Sequence, residues 1–325
     1  MTTTGMLLGK FMPPHKGHIY LARFAENYVD KLSIVVGSLE SEPIPGDLRY
    51  QWMKKIFPDC NVIHLAEELP QYPEEHPDFW QIWHDVLMRI LPEPPDYVFA
   101  GEDYGAKLAE TLGAVFVPSN TGRGIIPVSG TAIRNDPSGH WDYIPETVRP
   151  YFVKRIAVIG AESTGKTTLA AKLAQHFQTV NVPEYAETLI LHKGRDLAEK
   201  DFEMIVRAQK ASEDALMYQA RRVLFCDTEI MTTAIWQEML LGHYPSWLDE
   251  AARKSNYDLY LLLDTDAGWQ DDKHRYGAET QEVFMQSCLK RLEQDKKNYL
   301  RLSGNRDQKL QSAIKAVGDI IGVGP

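Results

Sequence analysis

Cysteine, basic charge and long apolar runs are all scarce in this chain, and each scarcity excludes a class of protein. The three cysteines among 325 residues, Cys60, Cys226 and Cys288, stand far apart and form neither a metal-ligand nor a redox spacing. Cys226 lies in an apolar run and reads as core. Lys and Arg together number 35 against 45 Asp and Glu, a net charge of −10, which argues against a general nucleic-acid-binding surface. No apolar stretch reaches the length of a membrane-spanning helix, and Thr2-Thr3-Thr4 runs straight into the first strand-like segment with no signal peptide before it. That short lead leaves no space before residue 5 for a helix-turn-helix module, and there is no internal repeat or low-complexity tract. Together these absences imply a cytoplasmic chain with no membrane segment and no DNA-binding domain. The oligomeric state stays open, a homo-oligomer included.

What is present is enough apolar residue, 44%, for real cores, and enough length for two domains. Short apolar runs alternate with helical patterns throughout, which predicts an α/β fold with parallel sheets. In the first half the runs predict strands at 6–8, 32–36, 61–65, 97–100 and 114–117, and a helix at 78–91. In the second half they predict strands at 155–159, 179–182, 223–226, 257–263 and 299–302, with a last helix at 307–321. The segment Trp141 to Arg155, with Pro145 and Pro150, joins the halves, and the boundary near Lys154 divides the chain into domains of 1–150 and 151–325.

Residues 160–167 read Gly160-Ala161-Glu162-Ser163-Thr164-Gly165-Lys166-Thr167, directly after the apolar run Ile156-Ala157-Val158-Ile159. Glycines let such a loop curl so that backbone N–H groups point inward at phosphate oxygens. A helix starting near Lys166 adds the positive end of its dipole. Lys166 is expected to reach the β- and γ-phosphates and Thr167 to hold Mg²⁺, with the rest of the loop and Thr168 completing an ATP site. The loop indicates a nucleoside triphosphate, not by itself a kinase.

A second phosphate corner is legible at the N-terminus, where the apolar Met6-Leu7-Leu8 leads into Gly9-Lys10-Phe11-Met12-Pro13-Pro14-His15-Lys16-Gly17-His18 and then a helical pattern. Two histidines at a strand-to-helix turn, with glycine between them, let the backbone approach an anion and offer imidazole donors to its phosphates. Downstream, Val128-Ser129-Gly130-Thr131-Ala132-Ile133-Arg134 reads as another helix start. There Ser129 or Thr131 would cap or bind phosphate, and Arg134 would clamp a triphosphate. These segments resemble the nucleotidyltransferase superfamily with its HxGH and SxTxxR motifs. The resemblance implies adenylyl transfer: a substrate phosphate attacks the α-phosphate of ATP and pyrophosphate leaves. Lys10, His15, His18 and Arg134 would stabilise that charge, with Gly9, Phe11, Ser129 and Thr131 contacting ATP.

In the second half, carboxylates follow successive strands, where ligands of open α/β sheets sit. Asp227 ends one strand and would hold Mg²⁺ or act as base on a substrate hydroxyl. Thr228 and Glu229 continue that edge. Glu184 and Tyr185 stand in Pro183-Glu184-Tyr185-Ala186-Glu187 after another strand. The polar stretch from Asp264 to Arg275 reads as a lid. Its Arg275 would reach the transferring phosphoryl group, Trp269 would stack on a substrate ring, and Asp271 and Asp272 would contact substrate. On the 78–91 helix, Trp80 and Trp83 lie three apart on one face and either pack the core or stack on a cationic ring.

Taken together, GKFMPPHKGH, VSGTAIR, GAESTGKTTL, PEYAE, CDTEIMTT and WQDDKHR make nearly the whole chain resemble the bifunctional nicotinamide-nucleotide adenylyltransferase and ribosylnicotinamide kinase family (NadR-type). That resemblance implies a Rossmann-like nucleotidyltransferase domain followed by a P-loop kinase domain. The kinase half would use ATP to phosphorylate nicotinamide riboside, and the other half would join the mononucleotide to AMP, giving NAD. Two positions depart from the pattern: Glu187 stands where an Arg is expected, and Lys273-His274 where a glycine-containing pair is expected. The alternatives are a nucleoside kinase on the same architecture, a fused enzyme of coenzyme A synthesis, and a nucleotide sensor with weak catalysis.

Overall fold

The structure, a computed structural model, describes residues 2–119, 124–194, 197–265 and 278–323. The chain divides into two compact units, Met1–Val148 and Arg149–Pro325.

The first unit is built on five strands, β1 (Thr4–Gly9), β2 (Lys31–Gly37), β3 (Asn61–Leu65), β4 (Tyr97–Ala100) and β5 (Val115–Pro118), in the order β3-β2-β1-β4-β5. All the pairings are parallel, and β1 aligns along β2 from Thr4↔Lys31 to Gly9↔Val36. The helices are α1 (Lys16–Glu26), α2 (Gly46–Ile56), α3 (Phe79–Ile90), α4 (Tyr104–Leu112) and α5 (Gly130–Asn135). A sheet covered by helices buries both faces of each strand, so its strands read as unbroken apolar runs. Accordingly Leu7, Ile34 and Val36 pack with Ala22, Met53 and Phe57 in one cluster, while Met6, Val35 and Val98 pack with Leu87 and Leu108 in another. The strand order reverses direction between β1 and β4, and crevices at such points bind ligands in open α/β sheets.

The second unit repeats the principle with β6 (Lys154–Gly160), β7 (Asn181–Val182), β8 (Val223–Asp227), β9 (Leu259–Leu263) and β10 (Tyr299–Leu302), in the order β10-β9-β6-β8-β7, again parallel. Its helices are α6 (Lys166–His176), α7 (Tyr185–Lys193), α8 (Glu199–Met217), α9 (Ile230–Leu241), α10 (Ser246–Lys254), α11 (Ala278–Gln294) and α12 (Arg306–Ile321). The central strand β6 is buried from Ile156 to Gly160 and packs on Leu169, Leu173, Ile314 and Val317. The register sets Val158 opposite Asp227 and Gly160 opposite Leu263, so the loop after β6 emerges beside the end of β8. The expected α/β class with two parallel sheets is the one observed. Among the described residues no helix is long and apolar enough to cross a membrane.

Candidate functional site

In the first unit the turn after β1 holds the two histidines against each other. His15 is the N-cap of α1; its Nδ1 accepts from the backbone N–H groups of Gly17 (3.1 Å) and His18 (3.3 Å). A nitrogen that accepts two N–H groups carries its lone pair inward, so the proton of a neutral ring sits on Nε2. The His15 and His18 rings stack with centroids 3.6 Å apart, and Phe11 meets His18 edge-on at 5.0 Å. The chain turns at Phe11, whose φ of 46° lies in the left-handed region. Gly17 leaves room for the His15 ring: a Cβ there would stand 3.0 Å from it, closer than most side chains pack.

The downstream motif docks on this turn. Ser129 caps α5, its Oγ accepting from Ala132 N–H at 3.1 Å, which settles the choice between Ser129 and Thr131 as cap. Arg134 donates to the Met12 carbonyl and, at 3.1 Å, to Thr131 Oγ1. Gly130 permits this approach, since a Cβ on it would run into the Met12 carbonyl oxygen. His15, His18, Phe11, Thr131 and Arg134 are thus brought together from positions more than a hundred residues apart.

Lys10 sits in a network that sequence reasoning missed. Its ammonium pairs with Glu42 Oε1 at 2.8 Å, while the fully buried Arg49 pairs with Glu42 Oε2 and donates to the carbonyls of Lys10 (2.6 Å) and Gly37 (3.3 Å). Burial pushes the Glu42 carboxyl up, but hydrogen bonds from Lys10, the Leu39 N–H and Arg49 outweigh it and hold the group below its ordinary range. Trp80 and Trp83 both pack partly against the core around Leu87, and Trp83 Nε1 donates to the Pro70 carbonyl at 3.0 Å. Their packing role is therefore real.

In the second unit the loop from Gly160 to Thr167 wraps on itself. Lys166 Nζ and Thr164 Oγ1 both donate to the Ala161 carbonyl, at 3.1 and 2.8 Å. Ser163 (φ 66°) and Gly165 (φ 94°) take left-handed conformations, and Gly165 is the N-cap of α6. A Cβ at Gly160 would lie 2.9 Å from the Leu263 carbonyl oxygen. Gln281 on α11 steadies the loop through Nε2 to the Glu162 carbonyl, 2.8 Å, a contact no motif announced.

Carboxylates face this loop. Asp227 is wholly buried and its carboxyl is pushed up by burial, with the Thr167 hydroxyl and the Lys166 ammonium pulling the other way. Neither of its oxygens makes a hydrogen bond of good geometry among the described residues. Burial likewise pushes Glu184 up to about 7; Lys166 opposes the shift, while Asp227, Glu187 and Glu162 add to it. An open cleft lies here, lined by Glu162, Glu184 and Thr228 on its polar side and by Phe202, Ile205, Trp236 and Leu240 on its apolar side. Thr228 holds φ at 64°, a strained value for a β-branched residue and one that clusters at functional sites. Glu229 does not face the cleft chemistry: it is the buried N-cap of α9, accepting from Met231 (2.8 Å) and Thr232 (3.1 Å) N–H groups. Tyr185 contributes its backbone N–H to Gln209 Oε1 at 3.0 Å. Trp269, Asp271, Asp272 and Arg275 lie outside the described residues.

A family described as an AAA domain matches residues 155–309. The chain is 28% identical over 344 residues to the trifunctional NAD biosynthesis/regulator protein NadR of Escherichia coli K12, covering 98% of this chain and 84% of the relative. It is 29% identical to the protein of that name from Salmonella typhimurium, over 82% of this chain and 70% of the relative. A crystal structure of NadR protein in complex with NR superposes with a TM-score of 0.83 at 21% identity, covering 99% of this chain and 97% of that one, which speaks to the fold. Near-full-length similarity, the same succession of two parallel-sheet units and both phosphate corners converge on one conclusion: the chain is homologous to the NadR proteins.

Proposed function

We propose that the chain catalyses two consecutive steps of pyridine-nucleotide salvage. The second unit phosphorylates nicotinamide riboside with ATP, and the first transfers AMP from ATP to the resulting mononucleotide, releasing pyrophosphate and forming NAD. The observation that carries the reading is that each sheet bears its own anion corner at the end of its central strand, β1 in one and β6 in the other. The names of the relatives support it, as does the match of other relatives called nicotinamide-nucleotide adenylyltransferase, one from Aeropyrum pernix at 27% identity over 160 residues.

In the first unit positioning and charge stabilisation do the work. The Nε2–H of His15, His18 and the Arg134 guanidinium line one turn, where the α- and β-phosphates of ATP would lie, while Lys10 shifts between Glu42 and phosphate. In the second unit the loop amides and Lys166 hold the β- and γ-phosphates. The hydroxyl of Thr167 and the unsatisfied carboxylate of Asp227 form a donor set that suits Mg²⁺, which when bound with ATP would offset phosphate charge. Glu184, with a proton affinity poised near neutrality, is placed to take the proton of the attacking riboside hydroxyl. The cleft also favours this substrate electrostatically: a pyridinium ring is cationic, and it would relieve the repulsion among Glu162, Glu184, Glu187 and Asp227 with Trp236 as an aromatic wall. The enzyme so described would work in the cytoplasm, beside its ATP supply.

The test is product analysis by mass. Purified protein with ATP and Mg²⁺ should make NAD from nicotinamide riboside and, in parallel, from the mononucleotide. Phosphorylation of thymidine in preference to the riboside, or no product from either nicotinamide compound, would overturn the proposal.

A further inference from the structure

One buried polar side chain beneath the cleft of the second unit has half of its hydrogen-bonding capacity unused. Gln209 is 3% exposed. Its Oε1 accepts the N–H of Tyr185 at 3.0 Å, while its Nε2 has no partner among the described residues. A buried amide nitrogen with two unmet donors is costly, and structures that keep one usually reserve it for something.

The fold says where that nitrogen faces. Phe202, Ile205 and Gln209 are spaced three and four apart on α8, hence on one stripe of the helix, and the first two line the cleft. Helical side chains lean toward the N-terminus of their helix, so the Gln209 amide lies over the turn of Ile205, which lines the cleft. On its other side, Tyr185 is flanked in sequence by Glu184 and Ala186, both cleft residues. Gln209 does not itself line the cleft; its amide lies one layer beneath, between the cleft residues of α8 and the first turn of α7.

Resting on the function proposed above, we infer that Gln209 determines acceptor specificity in the kinase half. Oε1 pins the start of α7 and with it Glu184, and Nε2 donates to an acceptor oxygen of the bound riboside. Two oxygens qualify chemically, a ribose hydroxyl and the carboxamide oxygen of the ring.

The experiment compares wild type with Gln209→Met, which keeps the length and removes both the donor and the acceptor for Tyr185 N–H, and Gln209→Glu, which keeps that acceptor but lacks the amide donors. KM and kcat are measured for nicotinamide riboside, for its 2′- and 3′-deoxy analogues and for the riboside of unsubstituted pyridine, and KM is measured for ATP. The expected result is a KM for nicotinamide riboside raised about tenfold or more in both variants, since a site built to bond a substrate oxygen discriminates strongly, with KM for ATP held within about twofold. One analogue, the one lacking the oxygen that Nε2 reads, should show the same KM in wild type and Gln209→Glu, and its identity distinguishes ribose from ring. Variants with a wild-type KM for the riboside would overturn the assignment of Gln209 alone. An equal loss on every acceptor, or a KM for ATP that moves with the riboside KM, would reduce Gln209 to a packing residue. A wild-type protein that phosphorylates no riboside would overturn the underlying function, a result visible before any variant is made.

Discussion

Glu184→Gln should make the second unit more stable while disabling it. The Glu184 carboxyl is displaced from its ordinary 4.5 to about 7, first by burial and then by Asp227, Glu187 and Glu162, against the pull of Lys166. A carboxyl whose folded pKa lies above its unfolded one holds more protons folded than unfolded between those two values. Stability therefore falls as pH rises from about 4.5 to about 7, and the penalty is complete above that window. The displacement corresponds to about 3 kcal/mol at most, reduced by whatever solvent reaches this partly exposed side chain. The amide variant has nothing to titrate. Its advantage over wild type should be near zero at pH 4.5 and should grow to roughly 1–3 kcal/mol at pH 8.5. Denaturant unfolding at both pH values, read by hydrogen exchange in peptides of β6 and β8, isolates the second unit from the first. Riboside phosphorylation should drop at the same time, as expected where a site stores unfavourable charge for its chemistry. A stability difference that does not change with pH, or a wild type that is the more stable at pH 8.5, would refute the picture of Glu184 as a charge held against its environment.

Three further substitutions separate the two halves. Lys166→Ala removes the ammonium poised over the 160–167 loop and should abolish riboside phosphorylation, by roughly 10²-fold or more, with adenylyl transfer spared; loss of both activities would argue against independent sites. His18→Ala should do the reverse at a similar cost of roughly 10²-fold, and an unchanged rate of NAD formation from the mononucleotide would remove His18 from the mechanism. Gly130→Ala forces a Cβ into the Met12 carbonyl and so separates Arg134 from the histidine turn; a KM for ATP in adenylyl transfer that stays at its wild-type value would show that the docking of α5 is not needed.

Much of this was legible in the sequence because parallel strands buried on both faces announce themselves as apolar runs. Asn61–Leu65, Tyr97–Ala100 and Tyr299–Leu302 fall where the runs end. The departures have local causes. β7 begins at Asn181 rather than Thr179, since the Thr179 backbone N–H is bonded back to the Ala174 carbonyl at the end of α6 (2.9 Å) and not across the sheet. Strand β9 begins at Leu259, two residues after Tyr257. The phosphate corners were legible because their spacing is contiguous in sequence. The residues that brace them were not: Arg49 reaches Lys10 across 39 positions, and Gln281 reaches Glu162 across 119. No local pattern encodes such a contact, since a helix-surface Arg or Gln looks the same in sequence whether it faces solvent or a loop.

The two corners bind similar anions with opposite electrostatics, and that contrast yields a last prediction. In the first unit Glu42 is already matched by Lys10 and Arg49 and holds its charge easily. In the second unit Lys166 opposes the raised carboxyls of Asp227 and Glu184, while burial and neighbouring acids push them up, so among the described residues burial and repulsion prevail there. A cationic riboside entering that cleft favours the ionised form of Glu184 and so lowers its pKa. Near pH 7 binding must then release protons, and affinity must rise as pH climbs through about 7, the reverse of what an acid acting as a neutral donor would give. Calorimetric titration of riboside in buffers of different ionisation enthalpy measures the proton count directly. Release should be largest near pH 7, absent at pH 9 and absent in Glu184→Gln. Proton uptake in the wild type, or no proton exchange at all, would mean that the cleft recognises the riboside by shape and hydrogen bonds and not by its charge; release that survives in the variant would move the proton from Glu184 to another acid, Asp227 first.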